Sequence, residues 1–299
     1  MKKLFSIFSL IPLLFASCNN EEVSIYDKTV EVSFTAELPQ EILTRASSEL
    51  SVNTVVCAVF EDGSEIEALR ESKPITDPSA IEFGLPLVKG RSYNVVFWAM
   101  KDANYNVSNL KEISRSATGS TNEADYDAFT AFTSVTVQNA VSLPVTLTRP
   151  LAQLNIGITE NDWNTVSAIF GQTPAQTSIT YNANDNFNAL AGEVVSGYSE
   201  ITRTAVSTGS TLTVEGTDYK HLGTFYVLMA EDEQTTLDLS YSVTDTDGDP
   251  IRENVQIPFV PMQKNFKTNL VGGLLTGTIT YMVTIGDGFS SDEKNEVIQ

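Results

Sequence analysis

The chain has 299 residues, with 18 Lys and Arg against 38 Asp and Glu, a formal net charge of −20 and 41% hydrophobic content. So acidic a surface repels nucleic acid and anionic lipid, and with no basic patch to interrupt it DNA and RNA binding are excluded. The apolar content suffices for true cores, and the length beyond a leader suggests about two domains.

Residues 1–18 read MKKLFSIFSLIPLLFASC. Lys2 and Lys3 precede an apolar run, Leu4 to Phe15, that is too short for a comfortable membrane span and marks a secretory signal. Ala16 and Ser17 stand directly before Cys18. Apolar, small, small, Cys resembles the bacterial lipobox, in which the thiol accepts a diacylglyceryl group and becomes the new N-terminus. Phe15 stands where Leu is more usual, and the competing reading is an ordinary signal peptide that contains a Cys. At about 0.8 kcal/mol per buried methylene, several acyl chains make a lasting anchor. Asn19, Asn20, Glu21 and Glu22 follow, and an acidic stretch behind the lipidated Cys resembles the surface-export signal of Bacteroidota lipoproteins. That resemblance implies display on the outer leaflet of the outer membrane. With Cys18 given to lipid, Cys57 in TVVCAVF has no disulfide partner and reads as small core filler.

Short runs with period-two alternation then recur to the far end of the chain. TVEVSFTAEL puts Val30, Val32 and Phe34 on one face, with Glu31, Ser33 and Thr35 on the other. SYNVVFWAM, TSVTVQN, LPVTLTR, LAQLNIGI, TFYVLMA, TLDLSYSV, VQIPFV and TITYMVTI follow, rich in Thr, Val, Tyr and Phe. Turn clusters such as EDGSE, GLPLVKGR, NANDN and DTDGDP separate them. The spacing predicts sandwiches or barrels rather than alternating β–α units. The one helix expected is NDWNTVSAIFG, with Asn161 or Asp162 as N-cap, Gly171 as stop, and Trp163, Val166 and Phe170 on a core-facing side. Arg149-Pro150 falls between two alternating runs, and Pro suits a junction because it cannot donate to a ladder. The organisation predicted is therefore a leader over 1–18, one domain over 46–149, a second over 150–289 and a loose polar tail over 290–299.

A search for chemistry finds little. The single histidine, His221, cannot build a His-rich metal site or a Ser-His-Asp triad without a GxSxG turn, and reads as a loop or strand-entry residue. GLLTG, at Gly273 to Gly277, lacks the Lys and the strand-to-helix context of a phosphate loop. Asp245, Asp247 and Asp249 alternate as calcium ligands do, but the Gly is fourth from the first Asp and no Glu stands twelfth. An Asp-Gly hairpin turn accounts for that segment equally. No cofactor is implied and no enzyme is expected, although acidic pairs for glycoside chemistry exist in number without any pair standing out.

Four features together resemble the fimbrillin family of Bacteroidales type V pili: the lipobox with its acidic start, Glu41-Ile42-Leu43-Thr44-Arg45-Ala46-Ser47, Arg149-Pro150-Leu151-Ala152-Gln153-Leu154, and Pro261 to Gly272 running into a final strand. The likeness spans most of the chain in architecture and short motifs. It implies an all-β subunit of two tandem transthyretin-like (Ig-like Greek-key) β-sandwich domains with little helix. It further implies that residues 19–45 form a propeptide carrying the first strand, cut by an Arg-specific protease between Arg45 and Ala46. The vacated groove would take a strand from a neighbouring subunit in the extracellular fimbria, serving adhesion and colonisation, with a host surface ligand as a further partner.

The residues make that exchange physically reasonable. Removing the strand of Val30, Val32 and Phe34 would leave apolar surface and unpaired backbone, which templates another strand. Ile279, Tyr281, Val283 and Ile285 alternate with Thr278, Thr280, Met282 and Thr284 in the same inward–outward rhythm, which makes them the donor candidate. Four such side chains contribute roughly 6–12 kcal/mol on burial. Two other readings stand beside this one: an uncleaved, lipid-anchored accessory or anchor subunit, and a surface carbohydrate-binding lipoprotein in which aromatics such as Trp98, Trp163 and Tyr181 stack on sugars.

Overall fold

A computed structural model describes residues 28–39, 50–171, 173–195, 197–229, 232–286 and 296–298. Ten strands form the first half: β1 (Thr29–Glu37), β2 (Thr54–Glu61), β3 (Ser64–Glu65), β4 (Glu71–Pro74), β5 (Ile81–Val88), β6 (Ser92–Met100), β7 (Tyr105–Asn106), β8 (Ser114–Arg115), β9 (Ala128–Thr136) and β10 (Val141–Thr146). A three-stranded sheet, β10-β1-β5, faces a sheet of order β3-β2-β6-β9, in which β4 also pairs with β2. Alternation dictates the packing. Phe34 of β1, Phe83 of β5 and Phe97 of β6 meet between the sheets, with ring centroids 5.9 and 5.5 Å from that of Phe97. Cys57 is buried in the same layer, and burial pushes its thiol up to about 12, with Glu71 adding to the shift and Lys73 opposing it. It is a small apolar filler, as the sequence predicts.

The second half comprises β11 (Leu151–Ile158), α1 (Glu160–Phe170), β12 (Gln176–Ala183), β13 (Phe187–Asn188), β14 (Glu193–Val194), β15 (Ser199–Val206), β16 (Thr211–Val214), β17 (Thr217–Leu228), β18 (Thr235–Thr244), β19 (Pro250–Met262), β20 (Lys267–Gly273), β21 (Thr280–Ile285) and β22 (Glu296–Ile298). A six-stranded sheet, β16-β17-β11-β20-β21-β22, packs on a four-stranded sheet, β15-β12-β18-β19. Among the described residues the fold is all-β apart from α1 and two single-turn 3₁₀ segments.

The helix starts two or three residues earlier than the sequence suggests. Thr159 is the N-cap, its hydroxyl accepting the Asp162 N–H at 3.1 Å, and Gly171 closes the helix in the left-handed region at φ 68°. Asp162 is instead turned inward, a role described below. Trp163 and Val166 pack on the core as expected; the Phe170 side chain lies outside the described residues.

The halves share a third apolar cluster. Val56, Val96 and Trp98, on the outer face of the β2–β6 sheet, pack with Leu151, Phe187 and Tyr226 of the second half. Ile113 and Phe187 exchange backbone hydrogen bonds of 2.8 and 2.9 Å across this boundary. Burial on both faces explains why β2 and β6 read as near-continuous apolar runs rather than strict alternations.

Candidate functional site

Of the residues singled out in the sequence, Val30, Val32 and Phe34 have the most informative position. β1 is the central strand of its sheet, pairing antiparallel with β5 from Thr29↔Val88 to Ala36↔Ile81 and parallel with β10 from Val32↔Val141 to Glu37↔Thr146. Val32, Phe34 and Ala36 are fully buried, Leu38 is buried beyond them, and Val30 packs partly against the same core. Backbone bonds beyond the ladder hold the end of the segment: the Leu38 N–H donates to the Pro78 carbonyl at 2.8 Å, and the Leu147 N–H to the Glu37 carbonyl at 2.9 Å. Within this sheet β5 and β10 pair with β1 alone. Two strand spacings, about 9–10 Å, therefore separate them, a gap with the width of one strand. Cys18, Arg45 and Ala46 lie outside the described residues.

The donor candidate is placed differently from the expectation in one respect. β21 pairs antiparallel with β20, Val283 opposite Leu270 and Ile285 opposite Thr268, and β22 lies on its other edge. Val283 and Ile285 are buried and Ile279 packs partly on the core, but Tyr281 is 43% exposed and Thr284 fully buried. The expected rhythm of four inward side chains breaks at Tyr281, opposite Gly272 and one pair from the end of the β20–β21 ladder. In the folded chain these residues complete their own sheet.

Three polar groupings were not legible in the sequence. Arg149 and Asp127 form a buried, two-pronged ion pair, with Nε–Oδ1 at 2.7 Å and Nη2–Oδ2 at 3.0 Å. Arg115 and Glu123, both largely buried, pair at 2.6 and 2.7 Å and reach across to β17: Glu123 Oε1 accepts the Tyr226 N–H and Arg115 Nη2 donates to the Tyr226 carbonyl. The pair thus satisfies backbone groups of β17 beyond the reach of β16. Burial pushes the Glu123 carboxyl up, against the opposing pull of Arg115. Burial alone would lower the Arg115 guanidinium, but Glu123, with Tyr105, Tyr181 and Asp185, outweighs it and leaves the group raised. Asp162, also buried, accepts the backbone N–H groups of Leu274, Leu275 and Thr276 at 2.8, 2.7 and 2.9 Å, and the Thr276 hydroxyl as well. GLLTG therefore does form an anion-binding nest, and the anion is a carboxylate of the chain itself.

The remaining polar side chains are engaged within the fold. Asp245 Oδ1 accepts the N–H groups of Asp247 and Asp249 at 3.0 and 2.9 Å, tying the β18–β19 turn. Among the described residues no group of three or more His, Cys, Asp or Glu is placed to hold a metal. Gln263 and Thr268 donate to the backbone carbonyls of Asp232 and Pro261, whereas Asn265 and Asn269 accept from Arg149 and Asn155. Trp98 and Tyr181 are buried and Trp163 packs on the core, so these three rings form no exposed sugar-stacking platform. No described helix is long and apolar enough to cross a membrane.

The family model of DUF6562, a family of unknown function, matches residues 21–299. The chain belongs to DUF6562. No curated protein sequence matches this DUF6562 member. Its fold is similar to that of solved candidate polysaccharide-binding proteins from Bacteroides thetaiotaomicron, at 10% identity and a TM-score of 0.53, over 90% of this chain and 98% of that one. It is also similar to a candidate adhesin from Bacteroides ovatus, at 14% identity and a TM-score of 0.50, over 91% and 96% of the two chains. The fimbrial anchor protein Mfa2 from Porphyromonas gingivalis aligns over 86% of this chain and 97% of its own, at 14% identity and a TM-score of 0.47. At such identities the first two likenesses establish a shared fold.

Proposed function

We propose that this DUF6562 member is a structural subunit of a surface fimbria. It is exported as a lipoprotein through Cys18, cut between Arg45 and Ala46, and polymerised when a strand of another subunit fills the slot of β1. The observation that carries this reading is the place of β1: a central, fully paired strand whose connection to the rest of the fold runs through Arg45. Cleavage there separates β1 covalently while leaving residues 46 onward continuous. The open slot presents two unpaired strand edges and the apolar floor around Phe97, which strongly favour a replacement strand. The adhesin description of the fold relative from Bacteroides ovatus agrees with a role in adhesion and colonisation. The partners are other subunits, the outer membrane before processing, and a surface ligand of the host.

The test is treatment of the surface-expressed protein with an Arg-specific protease, followed by N-terminal sequencing and gel analysis without boiling. The reading requires a new terminus at Ala46 and a heat-resistant ladder, both abolished by Arg45→Ala. Cleaved chains that stay soluble monomers overturn it. The completeness of β1's own pairing favours a second reading, a subunit that keeps its lipid and its first strand; an intact lipidated terminus in purified fibres would select it.

A further inference from the structure

The outward face of the six-stranded sheet, a different sheet from that of β1, carries a groove of about 390 Å³. Alternation sends Leu154, Ile156 and Leu270 to the core and Asn155 and Asn269 to the opposite face. A bulge at Ile156/Gly157 shifts the register of β17, so that His221 and Thr224 project to that face together. The wall is β16, with Ser210 before it, paired along the far edge of β17. A Cβ at Gly157 would stand 2.9 Å from Leu212 Cδ2, so glycine is what allows the wall to close in.

The floor is ordered before any ligand arrives. Thr224 donates to Asn155 Oδ1 at 2.9 Å, Gln153 Nε2 donates to the same oxygen at 2.7 Å, and Asn155 Nδ2 donates to Asn269 Oδ1 at 2.9 Å. Asn155 and Asn269 are each only 5% exposed, although they lie on the sheet face turned away from the core. Such pre-ordering removes part of the entropy cost of binding. The groove is lined by no Asp or Glu, in a chain that carries 38, which suits a neutral or anionic ligand.

The floor gives a peptide strand no ladder to join. β11 is paired on both sides, by β17 and β20, so the floor offers no ladder edge. Beside Leu212, His221 and Lys267, the lining consists of side-chain amides and hydroxyls, each group able both to donate and to accept, as vicinal sugar hydroxyls require. We infer that this groove binds an oligosaccharide through Gln153, Asn269 and the hydroxyl-bearing wall at Thr211. Its volume falls in the range of small-molecule sites, about 300–1,000 Å³.

The test uses the full chain, unpolymerised, on a dense printed array of neutral hexose, N-acetylhexosamine and uronic-acid oligosaccharides. Its outcome is thereby independent of assembly. Wild type is expected to bind a subset, and Thr211→Trp, an exposed wall position, to cut the signal by about tenfold or more with an unchanged melting temperature. Asn269→Ala should do the same; if it fails to fold, Thr211→Trp still decides. Wild-type binding to no oligosaccharide, binding indifferent to Thr211→Trp, or capture of acidic peptides alone overturns the inference.

Discussion

Arg149 and Asp127 face each other at the join of the two halves, each side chain 1% exposed. The Ser51 hydroxyl donates to Asp127 Oδ2 at 2.7 Å, Arg149 Nη1 donates to Asn265 Oδ1 at 3.2 Å, and the guanidinium lies 4.5 Å from the centre of the Phe129 ring. One ion pair therefore ties the start of β9, the end of the first half and the turn before β20. Removing one partner leaves a buried charge without its counter-charge. Asp127→Ala is expected to cost about 3–5 kcal/mol. The double variant Asp127→Leu with Arg149→Met should lose much less than the sum of the singles. Urea unfolding of the four proteins in the cycle measures this directly.

Phe34 offers a test that separates the precursor from the mature subunit. It is fully buried against Phe97, so Phe34→Ala should weaken the uncleaved chain by about 3–5 kcal/mol. On the proposed maturation the substituted residue is discarded with β1. Fibres grown from the variant should then melt like wild type, while the precursor melts lower. Equal destabilisation of both forms would mean that β1 stays in the fibre.

How far the sequence reveals this fold depends on the range of each interaction. β1 is legible because its alternation is local and its environment two-layered, so period two translates directly into burial. Arg149 is not: at the end of LPVTLTR it resembles any solvated strand terminus, and its partner lies 22 residues earlier in a segment with no period. The groove is equally hidden, since Asn155 and Asn269 occupy positions where polar residues normally meet water. Only the parallel pairing of β11 with β20 brings them together. Tyr281 shows the opposite failure, a regular alternation that runs past the end of its core.

Asp162 and the turn after β20 illustrate the same limit, 112 residues apart. Asp162→Ala strips the acceptor from three backbone N–H groups, two of them in buried Leu274 and Leu275, and should destabilise by at least about 3 kcal/mol. Asp162→Asn should be a poor rescue, because its NH₂ group would face other donors. Amide exchange at residues 274–276 should accelerate in both variants, well before β11 or β17 respond. Unchanged exchange there would show that the nest does not depend on its carboxylate.

His221 gives the chain a pH dependence that can be isolated, since it is the only histidine. Its Nε2 is 3.0 Å from the Thr224 hydroxyl and its Nδ1 3.1 Å from that of Thr208. Thr224 already donates to Asn155, so the network assigns the Nε2–H tautomer. Burial lowers the His221 pKa, with a backbone hydrogen bond to Gly223 opposing. The unfolded chain therefore takes up a proton as pH falls through about 6.5, while the folded chain resists until lower pH. Protons bound by the unfolded state exceed those bound by the folded one in that window, so stability is present above it and is lost as pH falls. Glu123, raised by burial, contributes with the opposite sign, gaining stability as pH falls. The difference between wild type and His221→Gln cancels that contribution. Urea midpoints measured between about pH 7.5 and 5.5 should fall more steeply with acid for wild type than for the variant. Parallel curves would mean that the imidazole charges as freely in the folded groove as in water.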